Sequence, residues 1–138
     1  MSLVTPPGIV IVEVANKLSR LQDDRMHVAR FGGEEFIVFI ENGREDEAAY
    51  WAERAGGYLE ASDWSTAGVA RQVTASFGVA ELEKTRIGPA IERADRALYF
   101  AKASGRNRVA TASSLRSGRH DFAASTSGTI SAIKIAQG

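Results

Sequence analysis

The chain has 138 residues, 17 basic and 17 acidic, a formal net charge of zero and no cysteine. That length suits one domain with a real core, burying roughly 68% of its unfolded surface. Balanced charge gives no support to non-specific binding of nucleic acid or anionic membrane, and the lack of cysteine excludes a disulfide scaffold and a cysteine metal site.

Pro6, Pro7 and Gly8 break the chain, so residues 1–8 read as an irregular N-terminal segment. Ile9 to Leu21 is open to two readings. The β-branched run Ile9-Val10-Ile11-Val12 favours a strand. The spacing of Ile11, Val14, Ala15, Leu18 and Leu21 favours a helix with one apolar face. Gln22 to Arg25 is a polar turn. Val28 to Phe31 and Phe36 to Ile40 read as two apolar strands joined by Gly32-Gly33-Glu34-Glu35, with Glu41-Asn42-Gly43 closing the hairpin. Arg44 to Ala61 reads as a helix with Ala48, Ala52, Ala55 and Leu59 on one stripe, weakened at Gly56-Gly57.

Ser62 to Gly68 is a loop. From Arg71 to Leu82, Val73, Ala75, Phe77 and Val79 alternate with Thr74, Ser76 and Gly78, which predicts a half-buried strand. Pro89 suits the first turn of a helix that turns Ile91, Ala94, Leu98 and Ala101 to the core and stops at Gly105. Asn107 to Thr111 is a short last strand. The composition then shifts to Ser, Thr, Gly and Ala, and 112–138 reads as a tail, its part to residue 128 a linker or disordered. Ile130, Ile133 and Ile135 suggest a short C-terminal element without saying where it lies.

Two segments carry chemistry. Glycines at 32 and 33 let the backbone turn sharply and let a ligand approach without meeting a Cβ. Glu34 and Glu35 are hard oxygen ligands of the kind Mg²⁺ takes when it also holds phosphates. Lys102 and Arg106 stand around the glycine stop of the last helix, a compact ammonium and a planar guanidinium suited to a triphosphate. Taken alone, these cations read better as solvated partners of the helix dipole, worth ~0.3–1 kcal/mol each; beside the Gly-Gly-Glu-Glu-Phe turn the phosphate role is preferred. Asp95, seven residues before Lys102, reads as surface charge. His27 and His120 have no ligand spacing, and Tyr50, Trp51 and Trp64 read as packing groups.

The Gly-Gly-Glu-Glu-Phe turn at 32–36, the segment Val73 to Ala80 and the stretch Ala94 to Val109, in that order, closely resemble the GGDEF-domain diguanylate cyclases from about Ile9 to Val109. The resemblance implies a partial GGDEF domain over 9–111. It implies an α+β fold, an antiparallel-rich sheet with packed helices like the palm of nucleotidyl cyclases and polymerases, with a ferredoxin-like core. It also resolves Ile9 to Leu21 as a helix. The family reaction joins two GTP molecules, held by two facing domains, into cyclic di-GMP with divalent metal. By resemblance Glu34 serves metal binding and activation of the attacking hydroxyl, and Glu35 is a further ligand for Mg²⁺ or Mn²⁺. Gly32 and Gly33 pass close to the nucleotide, and Lys102 and Arg106 bind phosphate.

The chain departs from that pattern in its N-terminal part. No Asp-x-Asp-x-Phe segment is present, and Gly8 stands where the guanine-reading aspartate would fall, so the domain reads as N-terminally truncated. Loss of a strand from the sheet centre is expected to leave an edge open to the N-terminal segment or to a partner chain. Asp23 and Met26 replace the Arg and Asp of the family's inhibitory product site, so no such site is expected. The resulting expectation is a bacterial cytoplasmic signalling domain, partnered by GTP and by a second copy or a sensory domain. No nucleic acid and no membrane span are expected. Cyclase activity is expected to be impaired in this chain alone; the alternative is a non-catalytic module for GTP binding or dimerisation.

Overall fold

A computed structural model describes residues 7–115 and 128–137. Helix α1 runs Pro7–Ser19, β1 Met26–Arg30, β2 Glu35–Glu41, α2 Glu45–Ala61, β3 Ala75–Glu83, α3 Ile87–Ala103, β4 Val109–Thr111 and β5 Thr129–Gln137. Proline is tolerated at the head of α1 because the first N–H groups of a helix have no partner in any case. The helix therefore takes in Pro7 and Gly8, which the sequence placed in an irregular segment; residues 1–6 lie outside the described residues.

One five-stranded sheet has the order β1-β2-β5-β3-β4. All neighbours are antiparallel except β3 and β4, which are parallel. The architecture is the α+β, antiparallel-rich, palm-like one expected. One face packs Phe36, Val38 and Ile40 of β2, Phe77 and Val79 of β3, and Ile133 and Ile135 of β5 against α1 and α2. Helix α1 contributes Val10, Val14 and Leu18, and α2 contributes the expected stripe of Ala48, Ala52, Ala55 and Leu59. Trp51 and Trp64 are buried there, and each indole N–H finds a carbonyl, at Leu21 (2.8 Å) and Leu59 (2.9 Å). Tyr50 is two-thirds exposed and takes no part in the packing expected of it.

Helix α3 covers the other face, so β3 is not the half-buried strand that its alternation predicts. Every residue from Ala75 to Ala80 is buried, including Ser76 and Gly78. The contact is close: a Cβ on Gly78 would lie 2.1 Å from the Ala94 carbonyl oxygen and 2.2 Å from the Leu98 amide nitrogen. Small residues at Ala90, Ala94, Ala97 and Ala101 let the helix settle that low on the sheet.

The largest difference from the sequence reading is β5. The stretch 129–137 belongs to the supposed tail, yet it is the central strand. It pairs with β2 from Glu35↔Ala136 to Glu41↔Ile130 and with β3 from Ala75↔Gln137 to Glu83↔Thr129. The Asn42 amide donates to the Thr129 carbonyl (2.9 Å), and the Asn42 side chain accepts from Gly128 N–H (3.2 Å), fixing where the strand enters. The gap expected at the sheet centre is thus filled from the C-terminal side, by neither the N-terminal segment nor a partner. Ser113–Leu115 forms a short 3₁₀ turn, and the tail residues 116–127 lie outside the described residues.

Candidate functional site

Strands β1 and β2 hold the hairpin tip in one geometry. Phe31 N–H donates to the Glu35 carbonyl at 2.8 Å, and Glu35 N–H donates to the Gly32 carbonyl at 3.0 Å. Gly32 and Gly33 have φ of +62° and +45°, which L side chains rarely adopt. No atom lies within 4 Å of a Cβ built on either, so the backbone there is open to an approaching group. The Arg30 guanidinium, which the sequence did not single out, donates to the Gly33 carbonyl from Nε (3.2 Å) and Nη2 (2.9 Å) and braces the turn. Gly33→Ala should therefore cost about 1–2 kcal/mol through backbone strain alone. A urea melt checks this, with a steric clash excluded as the cause.

The two carboxylates of the tip diverge. Glu34 points into solvent. Glu35 is half-buried and meets two ammonium groups, Lys134 Nζ at 3.0 Å from Oε1 and Lys102 Nζ at 3.4 Å from Oε2. Lys102 reaches it from the last turn of α3, so the hairpin and the helix end are brought together. Arg106 lies just past the helix, its N–H closing onto the Ala101 carbonyl at 3.0 Å and its backbone left-handed at φ +63°. Its side chain is exposed. Phe36 is a core residue, 3% exposed.

Lys134 was missed, because it lies in the segment read as tail. It sits mid-way along β5, across from Ile37 on β2 and Gly78 on β3, on the face covered by α3. Its side chain is only 7% exposed, and its ammonium also pairs with Asp95 Oδ1 of α3 at 2.9 Å. Asp95 is exposed, the surface charge expected, and it is ion-paired to the sheet through Lys134 and not to Lys102. The Phe31 ring lies over the ammonium, 4.2 Å from its centroid, a cation–π contact. Burial alone would lower the lysine's pKa. Hydrogen bonds to Asp95 and Glu35, and the charges of both, outweigh it and hold the group above the ordinary lysine value.

This donor set does not fit a resident divalent ion. Among the described residues no three His, Asp or Glu side chains converge on one point. Both oxygens of Glu35 already face ammonium groups. A cation placed ~4 Å from Lys134 would be repelled by roughly 4 kcal/mol per unit charge at an effective dielectric near 20. The inhibitory-site positions show Asp23 paired with Arg25 (3.4 Å) in an exposed turn. No helix among the described residues is long and apolar enough to cross a membrane.

Comparison with known proteins bears on the same segments. The family profile described as "Diguanylate cyclase, GGDEF domain" matches residues 8–108. Diguanylate cyclase A of Treponema denticola is 39% identical over 105 residues, covering 73% of this chain and 28% of that protein. Diguanylate cyclase DgcP of Pseudomonas aeruginosa is 34% identical over 104 residues, covering 75% of this chain and 16% of its own length. The uncharacterized protein YhcK of Bacillus subtilis is 37% identical over 103 residues, 72% of this chain and 29% of its own. The chain thus spans less than a third of each of these relatives. The matched residues include the hairpin tip, β3 and α3 with Lys102, and they stop short of β5 and Lys134. A glycine turn with paired glutamates, a helix-borne lysine facing it, and a profile match through both place this chain in the GGDEF-domain family of diguanylate cyclases.

Proposed function

We propose that the hairpin tip and the C-terminal end of α3 form a weak site for the triphosphate of GTP, and that this chain alone converts GTP to cyclic di-GMP poorly or not at all. The observation that carries the reading is Lys102 reaching from α3 to within 3.4 Å of Glu35. It brings an ammonium group towards an open glycine backbone. In this reading Gly32 and Gly33 admit the nucleotide, Lys102 and Arg106 take phosphate charge, and Glu34 is the exposed carboxylate positioned for the attacking hydroxyl. The family reaction joins nucleotides on two facing domains, so the working unit is a homodimer or a larger cytoplasmic signalling protein carrying a sensory domain.

A binding module without turnover is favoured over an active cyclase because Glu35, the second acidic residue of the turn, is engaged by Lys134. The test is incubation with GTP and Mg²⁺ or Mn²⁺, the kind of ion the family reaction uses, followed by nucleotide separation, alongside equilibrium binding of fluorescent GTP. Little cyclic di-GMP and weak GTP binding are expected. Lys102→Ala should weaken that binding roughly tenfold or more, the loss of one charge-assisted hydrogen bond. Robust metal-dependent cyclic di-GMP would overturn the impairment. No binding at millimolar GTP would overturn the site.

A further inference from the structure

We infer that Lys134 is a built-in cation that stands where a bound divalent ion would otherwise be needed between Glu35 and Asp95, so that this site engages phosphate without metal. The inference deepens the GTP-site reading and rests on it for its nucleotide arm.

Three observations carry it. The first is position: Lys134 lies on the central strand, and its ammonium bridges two carboxylates from different elements, at 3.0 Å and 2.9 Å. A cation joining oxygens of two elements does the electrostatic work of a small metal ion, neutralising charge that would otherwise repel a phosphate. The second is that its seat is closed. The side chain is 7% exposed, and the Phe31 ring covers it, so the charge is fixed in place and not a waving surface lysine. The third is provenance. Lys134 lies outside residues 8–108, so it belongs to this chain's own completion of the sheet and not to the matched family segment. With Lys102 on the other oxygen of Glu35, two ammonium groups balance Glu35 and Asp95, leaving no net negative charge in the cluster to attract a divalent ion.

The chemistry that fits is a polyphosphate anion arriving at the outer side of this cluster, near Lys102 and the glycine backbone. Its negative charge meets the part-exposed Lys102 ammonium, beside carboxylates that the buried Lys134 has already neutralised in place of a metal ion.

The test uses the full chain with Lys134→Gln and Lys134→Arg, each checked for folding by near-ultraviolet circular dichroism. Fluorescent GTP is titrated in EDTA and in Mg²⁺, and Mn²⁺ alone is titrated by electron paramagnetic resonance. The unaltered chain and Lys134→Arg should bind GTP about equally in both media and should not take up Mn²⁺ at micromolar concentration. Lys134→Gln should bind GTP roughly tenfold or more weaker in EDTA, recover in Mg²⁺, and gain Mn²⁺ uptake at the freed carboxylates. If the unaltered chain needs Mg²⁺ for GTP, or takes up Mn²⁺ in a manner abolished by Glu35→Gln, the inference is wrong. If folded Lys134→Gln gains neither metal response, it is also wrong. Failure of the unaltered chain to bind GTP in either medium overturns the nucleotide site, and the Mn²⁺ arm then still decides the role of Lys134. Should Lys134→Gln fail to fold, the unaltered chain and Lys134→Arg decide it.

Discussion

Replacing Gly78 by alanine should cost at least about 3 kcal/mol, at the upper end of what one added methyl group does in a core. The new Cβ would lie 2.1 Å from the Ala94 carbonyl oxygen and 2.2 Å from the Leu98 amide nitrogen. Both are backbone atoms of α3, so no rotamer change relieves the overlap. The helix must lift off β3, and the small-residue contact along Ala90, Ala94, Ala97 and Ala101 opens with it. Urea denaturation followed by tryptophan fluorescence reads the loss as a lower midpoint. The control is Gly57→Ala, at a helix position where nothing lies within 4 Å of the new Cβ. That change should stabilise by about 0.5–1 kcal/mol. A Gly78→Ala protein as stable as the unaltered chain would mean that α3 does not rest on β3 as described.

Removing residues 129–137 should abolish cooperative folding. Ile130, Ile133 and Ile135 are each at most 5% exposed, and burying such side chains contributes about 1.5–3 kcal/mol apiece. That sum rivals the whole stability of a typical domain, about 5–15 kcal/mol, before the lost ladders to β2 and β3 are counted. The truncated chain should lack a sigmoidal urea transition and should bind a hydrophobic dye. A truncated chain that melts cooperatively near the original midpoint would remove β5 from the sheet centre.

The turn, the hairpin and the two long helices were legible because each rests on local chemistry. Gly32 and Gly33 between apolar runs require a tight reversal, and the Ala48, Ala52, Ala55 and Leu59 stripe has helical spacing. The dual burial of β3 was not legible, since Ser76 and Gly78 look like a solvent face until α3 is known to lie on them. The placement of β5 was not legible either. A lysine inside Ile133-Lys134-Ile135 reads as an exposed position, and only Glu35 and Asp95, distant in sequence, make it a buried one. The run Ile130-Ser131-Ala132-Ile133-Lys134-Ile135 holds three isoleucines and an alanine among six residues, a strand-favouring composition, and that was the available signal. For the site, the family resemblance singled out Lys102 and the turn, whereas the ion pairs that engage Glu35 depend on the topology.

The position of β5 also bears on how the molecule is made. The strand that joins the two halves of the sheet is the last of the described elements to leave the ribosome. Until then β1–β2 and β3–β4 are separate ribbons, each with an open edge facing the other's missing neighbour. Local helices form early, but the sheet closes only after translation has passed every other described element, a late and long-range step of the kind that slows folding. During that interval a nascent chain is exposed to pairing with its neighbours on the same polysome, and dependence on chaperones is the expected cost of finishing a sheet from its middle.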